Sequence, residues 1–477
     1  GLLALLRAAA GSFAFAPLVA GIAPGPEGRA IFLLALFAFG IKAGLFPLHV
    51  WLPGAHAAAP SHVSALMSGV LIKTGIYGLF RVTSLFPDPP LWWGGTLVAF
   101  GALSGVLGVA FALGQHDLKR LLAYHSVENI GIITMGLGLG LVGRSLARPE
   151  WIVLGFAGGL LHVVNHGLFK SLLFYGAGSV HHATGTREMD RLGGLLKRMP
   201  RTALFFLVGA VAICGLPPLN GFVSEWLIYL GLLGTLRGAA TPWIWGTFAV
   251  PALALIGALA VACFVKAFGV VFLGEPRSES GRDAHESRSL TFPMAVLAAA
   301  CVAIGLAPAL VAPLLTPALR SLAPRLDLPA LSSLAPLGAL GAFACAVAAL
   351  VAVGALVAAR WTKGPAPATS TVPTWDCGYA APRATMQYTS SSFATWTVEL
   401  FRWALVPAVE APRIVRPFER FARFESHVPD TVLDRFLVPL FRAGAWLVSW
   451  GRFFQQGRIQ LYLVYVAVTL VVLLFRV

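Results

Sequence analysis

The sequence has little charge and no cysteine pattern that would suit a metal or an iron–sulfur cluster. Charged residues make up 12% of the 477 residues, against roughly 25% in a soluble domain, so most of the surface is expected to face lipid. The five cysteines show no C-x-x-C spacing, and four lie in apolar runs, which favours small core residues over ligands. We therefore expect no cofactor and no metal in this chain, and any linked redox chemistry is expected on a partner.

The sequence is rich in long apolar runs. Hydrophobic residues make up 57% of the chain, and runs of about 20 apolar residues, long enough to span a bilayer, recur along almost its whole length. Hydropathy therefore predicts an all-α integral membrane protein with about eleven transmembrane helices. The predicted spans are residues 3–20, 29–52, 61–83, 91–113, 118–141, 150–180, 201–233, 242–272, 290–312, 334–359 and 458–476.

The net charge of +15 does not indicate nucleic acid, because the charges lie mainly between apolar runs. The loop after the sixth span carries five basic residues between Arg187 and Arg201, and the loop after the eighth carries three between Arg277 and Arg288. The loops after the first, third and seventh spans hold one arginine each. The positive-inside rule therefore predicts that the loops after even-numbered spans face the cytoplasm.

The ends of the chain differ from its middle. Residues 276–359 are expected to add transmembrane helices, residues 360–397 form a Pro/Ser/Thr-rich linker, and residues 398–457 alternate apolar clusters with arginines. The last pattern predicts an amphipathic segment along the cytoplasmic interface, tied down by a terminal anchor helix at 458–477. The chain opens on Gly1 in an apolar run without signal-peptide features, which predicts a fragment that lacks its N-terminal helices.

Lysines are few and occupy unusual positions. The chain has seven lysines and 28 arginines, and the arginines avoid the centres of the spans. Arginine stays protonated in proteins, whereas a buried lysine can release its proton. Five lysines fall within apolar spans or at their ends: Lys42, Lys73, Lys119, Lys170 and Lys266. An ionisable group inside a membrane costs about 2.5–3.5 kcal/mol, which indicates a functional role; snorkelling to the interface is the alternative, chiefly for Lys119 and Lys266.

Other titratable residues accompany these lysines. His162, His166 and Lys170 stand four residues apart, so they share one helix face, and neutral histidine is a suitable proton relay. Glu128 lies in the middle of its span, and Glu225 follows a pair of prolines. We predict that these residues, with Lys42, Lys73 and Lys119, form a proton path across the bilayer.

Prolines interrupt two of the spans. Pro47 lies in the second span, and Pro217 and Pro218 lie in the seventh. The two spans are an odd number of crossings apart, so they run in opposite directions, which is typical of an inverted repeat with broken helices at its centre. The unpaired backbone of a broken helix must face protein or water. Each break therefore predicts a hydrated pocket, one beside Lys42 and one beside Glu225.

Four motifs carry a family resemblance. Residues 42–53 (KAGLFPLHVWLP), 59–66 (APSHVSAL), 117–126 (DLKRLLAYHS) and 215–222 (GLPPLNGF) closely resemble the antiporter-like subunits of respiratory complex I. That family includes Mrp cation/proton antiporter subunits and subunits of membrane-bound NiFe hydrogenases. The resemblance covers roughly residues 1–275 and implies a proton-conducting transmembrane domain.

Further motifs resemble one branch of this family. Residues 124–131 (YHSVENIG), 375–379 (WDCGY), 386–393 (MQYTSSSF) and the span that begins RIQLY at Arg458 look like the hydrogenase-4 and formate hydrogenlyase membrane subunits. The segment 398–457 is similar in placement to the lateral helix of the distal complex I subunit. This likeness extends the resemblance to the end of the chain.

The resemblance also implies roles for individual residues. Lys42 resembles the lysine of the first broken helix, whose partner is a glutamate two helices earlier, and Glu225 occupies the second broken helix. The remaining matches resemble the family's central polar axis: Lys73, Lys119, His162, His166 and Lys170. The helix that would carry the partner glutamate of Lys42 is not in this sequence, which puts the first half-channel in doubt.

The resemblance implies a non-catalytic, proton-translocating membrane subunit of a redox-driven complex of the group-4 NiFe hydrogenase or formate hydrogenlyase type. Its partners would be other membrane subunits and the hydrophilic electron-transfer arm, in a bacterial or archaeal cytoplasmic membrane. The alternatives are an Mrp-type antiporter subunit, a complex I subunit, or a scaffold whose charges only fix helix packing. The coupling ion and the electron donor stay open.

Overall fold

The computed structural model describes residues 1–10, 25–237, 243–362, 384, 386–411, 424–454 and 457–475. The described part is almost wholly helical, as predicted. Its longer helices are α1 (Leu2–Ala10), α2 (Pro26–Ala43), α3 (Trp51–Ala58), α4 (Ser61–Ser84, with a π-helical turn at Met67–Leu71), α5 (Leu91–Leu113), α6 (Leu118–Ser145), α7 (Pro149–Thr184), α8 (Pro200–Ile213), α9 (Asn220–Thr235), α10 (Trp243–Phe272), α11 (Arg288–Leu306), α12 (Pro308–Leu322), α13 (Leu337–Thr362), α14 (Ser390–Leu400), α15 (Val438–Ser449) and α16 (Ile459–Leu474).

Shorter elements connect these helices. Two antiparallel strands pair with each other, β1 (Ala408–Glu410) and β2 (Glu425–His427). The short helical turns are Met189–Arg191, Leu195–Arg198, Glu279–Arg282, Leu331–Leu334, Arg402–Leu405, Val432–Leu437 and Trp450–Phe454. The strands are a small local addition to a fold whose layers are all helix on helix.

Seven of the described helices are long and apolar enough to cross a membrane: α4, α5, α6, α7, α10, α11 and α13. Helices α8 and α16 are apolar but shorter. This supports an integral membrane protein, while the predicted total of about eleven spans stays a prediction. The first predicted span, residues 3–20, is described only up to residue 10.

Proline and glycine set the ends of several helices. Pro149, Pro200 and Pro308 each stand in the first turn of a helix, where the missing N–H costs nothing and the fixed φ suits the helix. At the other end of α2, Gly44 adopts a φ of +76° and its N–H binds the carbonyls of Gly40 and Ile41. A left-handed residue of this kind ends a helix at little cost only when it is glycine.

Both predicted helix breaks are present. Pro47 lies in the break between α2 and α3, and Pro217 and Pro218 lie in the break between α8 and α9. Each break follows a glycine in the left-handed region, Gly44 at +76° and Gly215 at +61°. The inverted symmetry that would relate the two breaks stays a prediction.

Helix α6 is the centre of the fold. Every residue in its most apolar window is buried, and it packs between α5 and α7 through glycines. A Cβ atom on Gly131 would lie 2.5 Å from the backbone oxygen of Gly101 on α5, and one on Gly136 would lie 2.9 Å from that of Gly155 on α7. Small residues let membrane helices approach this closely, so α6 has neighbours on all sides.

The C-terminal region divides after Val428. Residues 1–428 form one compact unit and residues 429–477 form another, in which no side chain of α15 or α16 is buried. Most of the predicted linker, with the motif at 375–379, and arginines 413, 416, 420 and 423 lie outside the described residues. Helix α14 begins within the predicted linker and packs against α5 and α10; the predicted domain boundaries stay predictions.

Candidate functional site

Helix α6 presents polar side chains to the interior of the helix bundle. Its first turn is fixed by Asp117, whose carboxylate accepts the backbone N–H of Lys119 at 2.7 Å and of Arg120 at 3.0 Å. Such a cap satisfies two of the N–H groups that every helix start leaves unpaired. From this start, His125 and Glu128 follow on successive turns, and both are fully buried.

Lys73 is the first lysine of the buried site. Its ammonium donates a hydrogen bond to the carbonyl of Ser68 within the π-helical turn of α4, a distortion that is frequent at functional sites. The hydroxyl of Ser68 lies 2.9 Å from the hydroxyl of Ser126 on α6. Lys73 is therefore connected to the central helix through two serines.

Lys170 reaches the same helix from α7. Its ammonium donates to the carbonyl of Leu122 and lies 5.1 Å from the ring centre of Phe174. The hydroxyl of Ser126 is 3.4 Å from the same carbonyl. Lys73 on α4 and Lys170 on α7 are therefore joined through one pair of groups on α6.

A histidine and a carboxylate form a contact next to this junction. The Nδ1 atom of His125 hydrogen-bonds to Oε2 of Glu128, and both side chains are almost completely buried. The ring of His125 also lies 4.6 Å from that of Phe264 on α10. Glu128 is therefore paired within the membrane domain rather than left as an isolated buried carboxyl.

His162 connects α6 to the second helix break. Its Nε2 atom is 3.0 Å from Oδ1 of Asn129, and its Nδ1 atom is 2.9 Å from the hydroxyl of Ser224. Asn165 donates to that hydroxyl at 3.0 Å and to the carbonyl of Asn220 at 2.7 Å. The chain of contacts therefore ends at the first residue of α9, beside the break.

Glu225 lies against the same break. The side chain is buried, and a Cβ atom on Gly215 would be 2.4 Å from its Oε2 atom. Position 215 therefore requires glycine for two reasons, its left-handed backbone and the closeness of this carboxyl. The structure thus places Glu225 where the sequence predicted it, and its role in proton transfer stays a prediction.

His166 lies one turn from His162 on α7. The two rings are parallel with centres 6.5 Å apart, and His166 is fully buried. Neither of its ring nitrogens has a protein hydrogen-bond partner among the described residues. Buried polar groups in such a position usually bind ordered water, so this imidazole is suited to a hydrated path.

Lys119 and Lys42 lie at the edges of the buried site. The ammonium of Lys119 donates to the carbonyl of Ala59, between α3 and α4. Lys42, in contrast, is exposed at the end of α2. The structure therefore brings Lys73, Lys170 and their neighbours together, and it does not bring Lys42 into this buried group.

Several residues of the network were not predicted from the sequence. They are uncharged or lie next to predicted residues: Ser68, His125, Ser126, Asn129, Asn165, Asn220 and Ser224. The sequence does carry a signal for Asn129 and Ser224. Each lies four residues after another polar residue of the network, His125 and Asn220 respectively, and therefore on the same helix face as that residue. Within the described residues, no group of three or more His, Cys, Asp or Glu side chains could hold a metal ion.

The comparisons with known proteins agree on one family. Residues 2–254 match the family model described as NADH:quinone oxidoreductase/Mrp antiporter, TM. Hydrogenase-4 component B of Escherichia coli (strain K12) is 49% identical over 289 residues, which cover 60% of this chain and 43% of that protein. Formate hydrogenlyase subunit 3 of the same strain is 38% identical over 416 residues, which cover 84% of this chain and 67% of that protein.

A solved structure resembles almost the whole chain. It is that of the membrane-bound sulfane sulfur reductase, an archaeal respiratory membrane complex, with a TM-score of 0.73 and 26% sequence identity. The match covers 99% of this chain and 73% of the other. This chain is therefore shorter than these relatives, and it spans less than half of hydrogenase-4 component B.

Proposed function

Because the chain belongs to the NADH:quinone oxidoreductase/Mrp antiporter transmembrane family, we propose that it is a proton-translocating membrane subunit of a redox-driven complex. The relatives hydrogenase-4 component B and formate hydrogenlyase subunit 3 favour a complex of the group-4 NiFe hydrogenase or formate hydrogenlyase type. Its partners would be other membrane subunits and a hydrophilic electron-transfer arm, in a bacterial or archaeal cytoplasmic membrane.

One observation carries this proposal. Polar side chains from four helices form two linked groups inside the membrane domain. The first joins Lys73 to Lys170 through Ser126, and the second joins His162 to the second break through Ser224. Helix α6 carries members of both. If the charges served only to fix helix packing, each would need a partner, but the titratable groups would not need to form a series across the fold.

The network suggests how protons would move. Electrons would pass through partner subunits, and each proton would hop between lysine amines, imidazoles and carboxyls of this chain. The charge of one buried site changes the proton affinity of the next, so a proton that leaves Lys73 favours protonation near Lys170. The hydroxyls of Ser68 and Ser126 lie 2.9 Å apart and can both donate and accept. Both lysines donate to backbone carbonyls, so water would carry the proton between each amine and the nearer hydroxyl.

Reconstitution tests this function directly. The complex that contains this chain is placed in sealed vesicles, an electron donor is supplied, and a pH-sensitive dye reports proton movement. We expect a pH difference across the vesicle that depends on electron transfer and disappears with a protonophore. Electron transfer at a normal rate without any pH difference would contradict the proposal.

An Mrp-type antiporter subunit is the second candidate, because the matched family model includes those antiporters. The same vesicles distinguish the two. An imposed sodium gradient should move protons without an electron donor if the chain is an antiporter. It should have no such effect if transport is redox-driven.

A further inference from the structure

A charged cavity lies where α6 begins, outside the proton path described above. Its volume is about 670 Å³. It is lined by the end of α3, the loop between α5 and α6 with the first turn of α6, the loop after α7, and strand β2. Their charged or titratable members include His116, Asp117, Arg187, Glu188, Asp190 and Glu425. The sequence predicts that this side faces the cytoplasm, since the basic loops lie here.

His116 and Asp190 lie next to each other in the lining of this cavity. His116 Nδ1 lies 3.6 Å from Asp190 Oδ2, a distance that a small shift or one water molecule would close. The other carboxylate oxygen of Asp190 accepts the backbone N–H of Ser390 at 2.5 Å. Ser426 lies 3.5 Å from Nε2 of His116. Ser390 and Ser426 belong to the C-terminal segment, of which residues 386–411 and 424–428 are described, and they close this pair on one side.

The same segment connects the cavity to Lys266. The ammonium of Lys266 donates to the carbonyls of Leu113 at 2.6 Å and Gln115 at 3.0 Å. The hydroxyl of Ser390 donates to that carbonyl of Gln115 at 3.3 Å. Lys266 is 1% exposed. Ser390 therefore contacts Asp190 through its backbone N–H and, through its hydroxyl, the carbonyl of Gln115 that also binds the buried lysine.

We propose that this cavity is an entry site for protons, in which His116 and Asp190 take protons from water and pass them by way of Ser390 to Lys266. The inference rests on the proposed function and adds residues and a direction to it. Asp190 binds the backbone N–H of Ser390, and Lys266 and the Ser390 hydroxyl share the carbonyl of Gln115, so the transfer runs through bridging water. Each step breaks one O–H bond and forms another O–H or N–H bond: water carries a proton from Asp190 to the hydroxyl of Ser390, and that hydroxyl passes one through a second water to the neutral amine of Lys266. The C-terminal segment then contributes a residue, Ser390, to the proton path.

The electrostatics of the cavity act in opposite directions on two of its titratable groups, His116 and Glu188. Burial, and after it the charge of Lys266, lower the pKa of His116, while Asp190 and the contact with Ser426 act in the opposite direction and His427 lowers it further. Since the ordinary pKa is 6.5, the imidazole is neutral at neutral pH and able to accept a proton. Burial and the nearby carboxylates of Asp117 and Asp190 raise the pKa of Glu188, which makes this side chain a further acceptor.

The test uses the reconstituted complex with single variants. Asp190→Asn, Lys266→Met and Ser390→Ala are each expected to lower the rate of proton translocation about tenfold or more, the low end of what a charged cleft contributes to capture of an ion. Ser390→Thr keeps the hydroxyl and is expected to restore the rate. The His116→Gln variant should flatten the dependence of the rate on pH below about pH 6.5, because the pKa of this imidazole lies below its ordinary value of 6.5.

Lys197→Met is the matched control, since this exposed lysine pairs with Glu275 at 3.1 Å outside the cavity. Wild-type rates and pH profiles in the three loss variants would overturn the inference, provided that wild-type vesicles move protons. A slow Ser390→Ala variant that threonine does not rescue would also overturn it, because the hydroxyl would then be structural. Wild-type vesicles that move no protons would overturn the proposed function itself, and this inference with it.

Discussion

Replacing Lys73 by methionine is expected to stop proton translocation by the complex while electron transfer through its partner subunits continues. Methionine has a similar length and is apolar, so the variant keeps the packing of α4 and removes the proton-carrying group. The link to Ser68, and through it to Ser126 and Lys170, is then lost. A positioned proton-transfer group is worth about 100-fold or more in rate, so the residual rate should approach the leak of the vesicles.

The control for this variant is again Lys197→Met, which removes an exposed lysine from a surface ion pair. Both variants lower the net charge by one, so a general effect of charge would appear in both. If Lys73→Met pumps at the rate of the control, the chain of contacts through Ser68 is not the path, and the lysine only fixes helix packing.

Replacing Gly131 by alanine is expected to destabilise the membrane domain more than most single substitutions. The new Cβ atom would lie 2.5 Å from the backbone oxygen of Gly101 and 2.6 Å from the backbone nitrogen of Gly105. These are backbone atoms of α5, so only a separation of α5 and α6 relieves the clash. Overpacking of this kind costs about 1–3 kcal/mol, and α6 also carries His125 and Glu128.

Gly257 in α10 is the matched control, because a Cβ atom there would meet no heavy atom within 4 Å. Unfolding of each purified variant by a denaturing detergent gives the free energies to compare. Gly131→Ala should unfold at a lower denaturant fraction than wild type, and Gly257→Ala should not. Equal stability of the two variants would contradict the close packing of α5 against α6.

Local features of the sequence were enough to predict parts of the site. The prolines at 47, 217 and 218 mark the two breaks because proline removes a backbone donor and a left-handed glycine precedes each of them. Proline alone does not suffice, since Pro251, Pro293, Pro313 and Pro317 lie inside continuous helices. The sequence predicted Lys73 and Lys170 inside the membrane domain from their position in apolar runs that are long enough to span a bilayer, and both are buried. The residues that contact these lysines on α6 could not be predicted, because the sequence of one helix does not show which face of a neighbouring helix it packs against.

Contacts between segments that are distant in the sequence could not be predicted for the same reason. Ser390 and Gln115 are 275 residues apart, and no local pattern relates them. The proline break in the second span predicted a hydrated pocket beside Lys42, yet within this chain its side chain is exposed. Burial of that lysine depends on what covers α2, which its own sequence does not determine.

Pumping by a Lys73→Arg variant tests most directly whether this buried site works by releasing protons. Arginine keeps the positive charge and can still donate to the carbonyl of Ser68, but it does not deprotonate in proteins. If protons hop through the lysine amine, the variant assembles and transfers electrons but does not acidify or alkalinise the vesicles. Proton translocation at the wild-type rate with arginine at this position would mean that charge alone is needed, and the proton path proposed here would be wrong.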